Sequence, residues 1–114
     1  PVDIKININR EQFLLAAKRA SLLATPDYQA VKIEVFKNKM VISKSTPDIG
    51  ESREEVPIEY QGKEMIVGFN PNFLIDVLKN LKDERIGFEI TGPDKPGVVR
   101  VGDYIYVVLP MRLS

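Results

Sequence analysis

Two neighbouring carboxylates, Glu54 and Glu55, and a glycine-bounded turn, GPDKPG at 92–97, are where this sequence comes nearest to a reactive site. Neither carries chemistry far. Adjacent residues of a strand point to opposite faces, so the two carboxylates are not expected to share a proton. Glu51, Glu54 and Glu55 read instead as a solvated acidic edge suited to a basic partner. The turn lacks the Gly-Lys-Ser/Thr ending of a phosphate-cradling loop, and its two prolines delete backbone donors that such a loop needs. A hairpin turn is the better account. The chain has no histidine and no cysteine, which removes the commonest general base, the commonest metal ligand and the strongest neutral-pH nucleophile. Carboxylate or lysine chemistry remains open, but the expectation is no catalytic residue, no metal and no cofactor.

The 114 residues carry 16 basic and 16 acidic side chains, with 44% hydrophobic and 28% charged residues. This is the composition of one globular domain, long enough to bury roughly two thirds of the surface its unfolded chain exposes. The apolar runs are too short to span a bilayer, and no basic-then-apolar leader precedes Val2. The expectation is a cytoplasmic protein with no membrane partner.

The elements that would position any site follow from periodicity. VDIKINI alternates as a half-buried strand, and Asn9, with Gln12 three residues on, forms a capping box for a helix over 10–24. VKIEVF (31–36) and MVISKS (40–45) read as a hairpin, followed by a third strand near 54–58. The order then recurs: a strand at 64–69, a helix opened by Asn70 and Pro71 and running to about 82, and strands at 86–91, 98–101 and 104–108. Phe13-Leu14 matches Phe73-Leu74 at a spacing of 60. An internal duplication, about 1–59 and 60–114, is the economical explanation. It predicts an α+β fold in which two helices pack side by side on two antiparallel sheets.

At about 100° per residue, Phe13, Ala16, Ala17, Ala20, Leu23 and Ala24 share one flank of the first helix, and Phe73, Leu74, Val77, Leu78 and Leu81 form the stripe of the second. Leu15 and Leu22 fall on the far side with Glu11, Lys18 and Arg19. Scattered surface leucines are ordinary, but Leu22 and Leu23 at a helix end could also anchor a neighbouring subunit. The two helices carry Arg10, Lys18, Arg19, Lys79 and Lys82 against Glu11 and Asp76. That positive face is either ordinary dipole complementation near helix ends or a diffuse lining for a phosphate backbone.

The carboxyl end, YIYVVLPMRLS, is apolar where a solvated terminus is usual. Val107, Leu109, Met111 and Leu113 offer apolar side chains at a strand end, and Pro110 fixes the backbone. Met suits a surface that accepts varied partners. Such a surface captures short peptides; alternatively, a terminal strand simply closes the core, with Val107 and Val108 buried.

These residues resemble a known family. YVVLPMRLS is similar to the C-terminal signature of bacterial DNA sliding clamps, the beta subunits of DNA polymerase III, and EMIVGFNPNFLIDVLKNLK and KRASLLA resemble the helix regions of their last domain. The resemblance spans essentially the whole chain. It implies a DNA-clamp domain, the third of a three-domain chain, with Pro1 just past the connector from the middle domain. It also implies a non-catalytic processivity factor: a homodimeric ring whose helices face double-stranded DNA without reading sequence.

The resemblance further implies a pocket for short motifs of DNA polymerase, clamp-loader and repair proteins. The matching positions are Asn70, Phe73, Pro96, Val107, Val108, Leu109, Pro110, Met111, Arg112 and Leu113, with Asn70 and Arg112 supplying polar contacts. Leu109 stands where some relatives have Met, and Ser114 extends the end by one residue; neither should abolish the groove. Without the preceding domain, peptide binding is expected to be weaker than in an intact clamp. Leu22 and Leu23, with the acidic Glu51, Glu54 and Glu55, match the subunit interface, and Lys18, Arg19, Lys79 and Lys82 are the candidates for facing DNA. The alternative is a free-standing peptide-binding or dimerising module that shares the fold; an enzyme ranks third.

Overall fold

Apolar-polar alternation turns IKININ into β1 (Ile4–Asn9), with Ile6 and Ile8 buried on its inner face. Asn9 then ends the strand, and its side-chain oxygen accepts a hydrogen bond from the Gln12 N–H at 2.9 Å. That cap, worth about 1 kcal/mol, opens α1 (Arg10–Ser21). The computed structural model describes residues 4–25, 29–47, 50–92 and 94–111. The helix stops three residues before the sequence suggested. Leu22, Leu23 and Ala24 instead form a tighter turn, their N–H groups bonded to the carbonyls of Arg19, Ala20 and Ser21. Thr46 Oγ1 donates to the Leu23 carbonyl at 2.6 Å and fixes where the chain turns away.

Three strands follow, β2 (Val31–Val35), β3 (Lys39–Thr46) and β4 (Gly50–Glu59). Then the order recurs as β5 (Met65–Phe69), α2 (Pro71–Lys79), β6 (Arg85–Ile90), β7 (Gly97–Val101) and β8 (Tyr104–Val108). Asn70 caps α2 by accepting from the Asn72 N–H at 2.9 Å, and Pro71 occupies the first helical position, where a missing N–H costs nothing. The GPDKPG segment is the β6–β7 turn, where the Lys95 N–H reaches the Gly92 carbonyl at 3.3 Å.

Every neighbouring strand pair is antiparallel, in the order β5-β2-β3-β4-β1-β6-β7-β8. The fold is α+β, and the order resolves into two four-stranded sheets that touch where β1 meets β4 at only two positions, Asn7↔Glu59 and Ile8↔Ile58. Each sheet contains the first strand of the other half. β1 lies against β6, with Ile6 opposite Phe88 and Ile8 opposite Ile86, while β5 lies against β2, with Val67 opposite Ile33 and Phe69 opposite Val31.

The pairing aligns the halves position by position. From cap to cap, Asn9 to Asn70, the shift is 61 residues. It sets Ile6 on Val67, Ile8 on Phe69, Phe13 on Leu74, Ala17 on Leu78 and Ala20 on Leu81, all buried. The letter match at a spacing of 60 is therefore one residue out. Phe13 is fully buried, whereas Phe73 stands where the first half has exposed Gln12 and is itself 52% exposed. The helical stripe expected to include Phe73 consists of Leu74, Leu78 and Leu81, with Val77 and Ile75 partly buried beside it.

Buried Ala16, Ala17 and Ala20 let α1 lie close to α2. Arg10, at the start of α1, donates from Nη1 to the Leu78 carbonyl (3.1 Å) and from Nε to the Asp83 carbonyl (2.9 Å), so the helices run antiparallel. A guanidinium at the carbonyl end of α2 also suits the helix dipole. Between the helices and the sheets, Phe13, Phe88 and Phe69 stack in a chain of tilted rings, 5.4 and 5.8 Å between centroids. Phe69 comes from β5 in one sheet and Phe88 from β6 in the other.

Gly97 on β7 makes room for this chain. A Cβ there would lie 2.8 Å from Phe69 Cζ and 3.1 Å from Phe88 Cε1. Gly97→Ala is therefore expected to cost about 1–3 kcal/mol through displaced rings, read as a lower urea midpoint. On the outer face, Arg100 donates to both carboxylate oxygens of Glu89, at 2.8 and 3.3 Å, and this hydrogen bonding holds Glu89 below the usual carboxylate range. A carboxyl lowered by folding stabilises fully above its unfolded value, about 4.3, and loses that contribution as pH falls through the folded value. Glu89→Gln should thus lower stability at neutral pH and flatten its decline below about pH 4.3, as measured by urea titrations across that range.

Candidate functional site

The apolar carboxyl end closes the second half. After β8, Pro110 pairs with Phe69 on β5, and the Met111 N–H donates to the Gly68 carbonyl at 2.8 Å. This join is the counterpart of the β1–β4 contact. Phe69 corresponds to Ile8, and Pro110 stands where Ile58 stands in the first half. Proline, lacking an N–H, can take that place because Met111 supplies the donor one residue on. Part of the tail is thus fold: Val108 is buried, and Pro110 and Met111 are half-buried.

The rest faces a cleft. The first turns of α2 supply Phe73, Asp76 and Val77 on one side, and Val107, Val108 and Leu109 form the other, around a volume of about 320 Å³. Val107 is 61% and Leu109 63% exposed, so three large apolar side chains, with Phe73, stand open to solvent along one hollow. The fold does not require this. The ladder registers place Val107 on Glu55 and Leu109 on Pro57 of β4, and the cap shift places Phe73 on Gln12. Buried Val108 corresponds to buried Val56. The two halves therefore agree at buried Val108 and Val56 and differ at Phe73, Val107 and Leu109, exposed apolar side chains where the first half has Gln12, Glu55 and Pro57.

Elsewhere the surface carries ion pairs together with exposed Leu15, Ile66, Tyr104 and Ile105. Residues 50–57 of β4 bond to β3 on one side, and β1 reaches β4 only at Ile58 and Glu59, which leaves a strand edge beside the end of α1. Arg19 Nη1 reaches Glu54 Oε1 at 3.0 Å across that edge, while Glu55 lies 3.6 Å from Arg53 and 3.9 Å from Lys39. Leu22 projects beyond the edge, 80% exposed. Burial lowers the Lys44 ammonium and raises the Tyr60 phenol; Lys44 on β3 and Tyr60 just past β4 bond backbone carbonyls, Ala30 and Lys63 respectively. Among the described residues, no group of three or more His, Cys, Asp or Glu could hold a metal ion, and no helix is long and apolar enough to cross a membrane.

The family model for the DNA polymerase III beta subunit, C-terminal domain, matches residues 2–112. The chain belongs to that family. The beta sliding clamp of Escherichia coli strain K12 is 34% identical over 103 residues, covering 86% of this chain and 28% of that protein. The beta sliding clamp of Pseudomonas aeruginosa is 31% identical over 108 residues, covering 92% and 29%. The crystal structure of the Pseudomonas aeruginosa clamp superposes with a TM-score of 0.91 at 30% identity over 97% of this chain and 32% of that one. That of the Thermotoga maritima beta subunit gives 0.90 at 30%, over 97% and 31%. The chain thus spans about a third of the length of the sliding clamps it matches.

Of the groove residues expected for a sliding-clamp domain, the cleft gathers Phe73, Val107, Val108 and Leu109. Asn70 lies at the head of the same helix, its side-chain oxygen engaged in capping α2. Pro96 is not among the residues lining the cleft; it is exposed on the β6–β7 turn, next to Gly97, which pairs with Val108. Pro110 and Met111 act through the seam, and Arg112 and Leu113 lie outside the described residues.

Asp76 and Val77 were not anticipated as cleft residues. Their signal was available, since each lies one helical turn from Phe73 on the same face. Of the interface set, Leu22 is open, Leu23 is half-buried with its carbonyl held by Thr46, Glu51 and Glu55 are exposed, and Glu54 is tied to Arg19. Of the basic set, Lys18 and Lys82 are exposed, whereas Arg19 is paired with Glu54 and Lys79 with Asp76 at 3.5 Å. Because the cleft side chains are not interior, Phe73→Gln, which installs the first half's residue, should change folding stability by no more than about 0.5 kcal/mol in urea denaturation.

Proposed function

We propose that this chain, residues 1–114, is the third domain of a ring-shaped DNA sliding clamp, a non-catalytic processivity factor working in the cytoplasm. Its task would be to hold DNA polymerase on the template. A closed ring cannot leave a duplex sideways, so a tethered polymerase gains effective concentration without any bond being made or broken. The cleft between α2 and the chain end would take the short, apolar-ended motifs of polymerase, clamp-loader and repair proteins. The observation that carries this reading is the divergence between the halves: Phe73, Val107 and Leu109 are exposed where the same fold, built the first time, has Gln12, Glu55 and Pro57.

The other two surfaces fit the same assembly. The open edge of β4, with Leu22 and Leu23 at one end and Glu51, Glu54 and Glu55 along it, suits strand addition from a second subunit whose facing edge is basic, in a homodimeric ring. The exposed Lys18 on α1 and Lys82, three residues past the end of α2, suit weak, sequence-independent contact with double-stranded DNA. The internal repeat, about 1–59 and 60–114, would then give one domain two nearly equivalent flanks for its neighbours in the ring.

Titration of this chain with a short synthetic peptide ending in two large apolar residues tests the docking site. Saturable binding is expected, with amide resonance shifts centred on Phe73, Val77, Val107 and Leu109. Phe73→Gln should weaken it by about tenfold or more. Shifts elsewhere, or affinity unchanged in that variant, would overturn the reading.

A further inference from the structure

Two long strand edges find no partner strand among the described residues. Residues 50–57 of β4 are paired only with β3, and β8, last in the strand order, is paired only with β7. The chain crosses to β5 at Pro110, so the second opening runs along Tyr104–Val108. Such edges are usually blunted by lysine or proline, because their free N–H and C=O groups recruit another strand. YIYVV contains neither proline nor charge, and its Tyr104, Ile105 and Val107 stand open to solvent.

The two edges differ in what they admit. β4 laid against itself would bring Glu51, Glu54 and Glu55 of one copy up to those of the other, and like charges opposed across strands are destabilising. β8 laid against itself meets no charge. Antiparallel about a twofold axis at Tyr106, it sets Ile105 of each copy opposite Val107 of the other, two exposed apolar side chains on one sheet face. We infer that β8 is a self-pairing edge, through which two copies of this chain join their four-stranded sheets into one of eight strands. A twofold contact uses the same patch on both partners and closes on itself. The inference goes beyond the ring reading: in a ring this flank would face a neighbouring domain, and in a solution of this chain its occupant is a second copy. One short strand pair is smaller than a standard interface, so the association is weak, at micromolar concentrations or above.

Sedimentation velocity from about 10 µM to about 1 mM chain tests this. The sedimentation coefficient should rise towards that of a dimer and level off there, while amide resonances of residues 104–108 shift with concentration. Ile105 is the residue to change, since Val107 also lines the cleft. Ile105→Lys brings two ammonium groups into diagonal reach across the axis and should weaken association about tenfold or more, with the urea midpoint unchanged. Leu22→Lys, beside the β4 edge, should leave association as it is. A chain that stays monomeric throughout, association that survives Ile105→Lys, or wild-type shifts centred away from 104–108 overturns the inference. Growth past the dimer also overturns it, because it marks head-to-tail pairing of β8 with β4. The docking reading stands apart from these outcomes and falls only to the Phe73→Gln titration.

Discussion

Each half of this domain completes its sheet with a strand belonging to the other: β1 lies against β6, and β5 against β2. Everything else depends on this exchange. It forces the inward residues of β1 and β5 into a common interior, and it brings rings from both halves, Phe13, Phe69 and Phe88, into contact. It also sets the helices antiparallel, with Arg10 of one satisfying carbonyls at the end of the other. The β1–β6 and β2–β5 ladders, unlike the hairpins, join segments remote in sequence, so loop-closure entropy must be met before their contacts are gained.

The cleft is a by-product of how the second sheet is closed. In the first half, β4 runs on through Ile58 and Glu59 to meet β1. In the second, β8 ends at Val108, and Pro110 and Met111 make the corresponding join to β5. The outward residues immediately before that join are Val107 and Leu109, and the helix opposite is capped by Asn70, the residue directly after Phe69 of the same seam. A wall of the hollow and a fastening of the sheet are therefore the same few residues. Their backbone is fixed by the fold, which pre-organises the side chains that remain exposed and lowers the ordering cost of any ligand.

Most of the fold was legible in the sequence. Alternation located β1, the β2–β3 hairpin, β5 and β8, and Asn9, Asn70 and Pro71 located both helix starts, because caps and period-two burial are local causes. The misses have local explanations too. Residues 50–53 belong to β4 yet read GESR, because they lie on an edge where ladder hydrogen bonds, rather than burial, hold them. The repeat was read one residue out because two letters agreed, whereas the caps and registers that fix it are properties of paired strands. Of the cleft, Phe73, Val107, Val108 and Leu109 were legible, but Asp76 was counted only as a charge. Pairs such as Arg19 with Glu54 bridge 35 residues, and no periodicity encodes them.

The exchange of first strands has a consequence for shorter chains. A polypeptide containing only one helix and one set of four strands could lay three of them side by side, but its leading strand would find no partner except the thin two-residue contact seen between β1 and β4. Two such chains, each inserting its leading strand into the sheet of its twin, would restore the whole architecture with an open loop at each end instead of one covalent crossing. The 60–64 connection is thus a tether between two mutually completing pieces, and severing it would leave a complex rather than two independent modules.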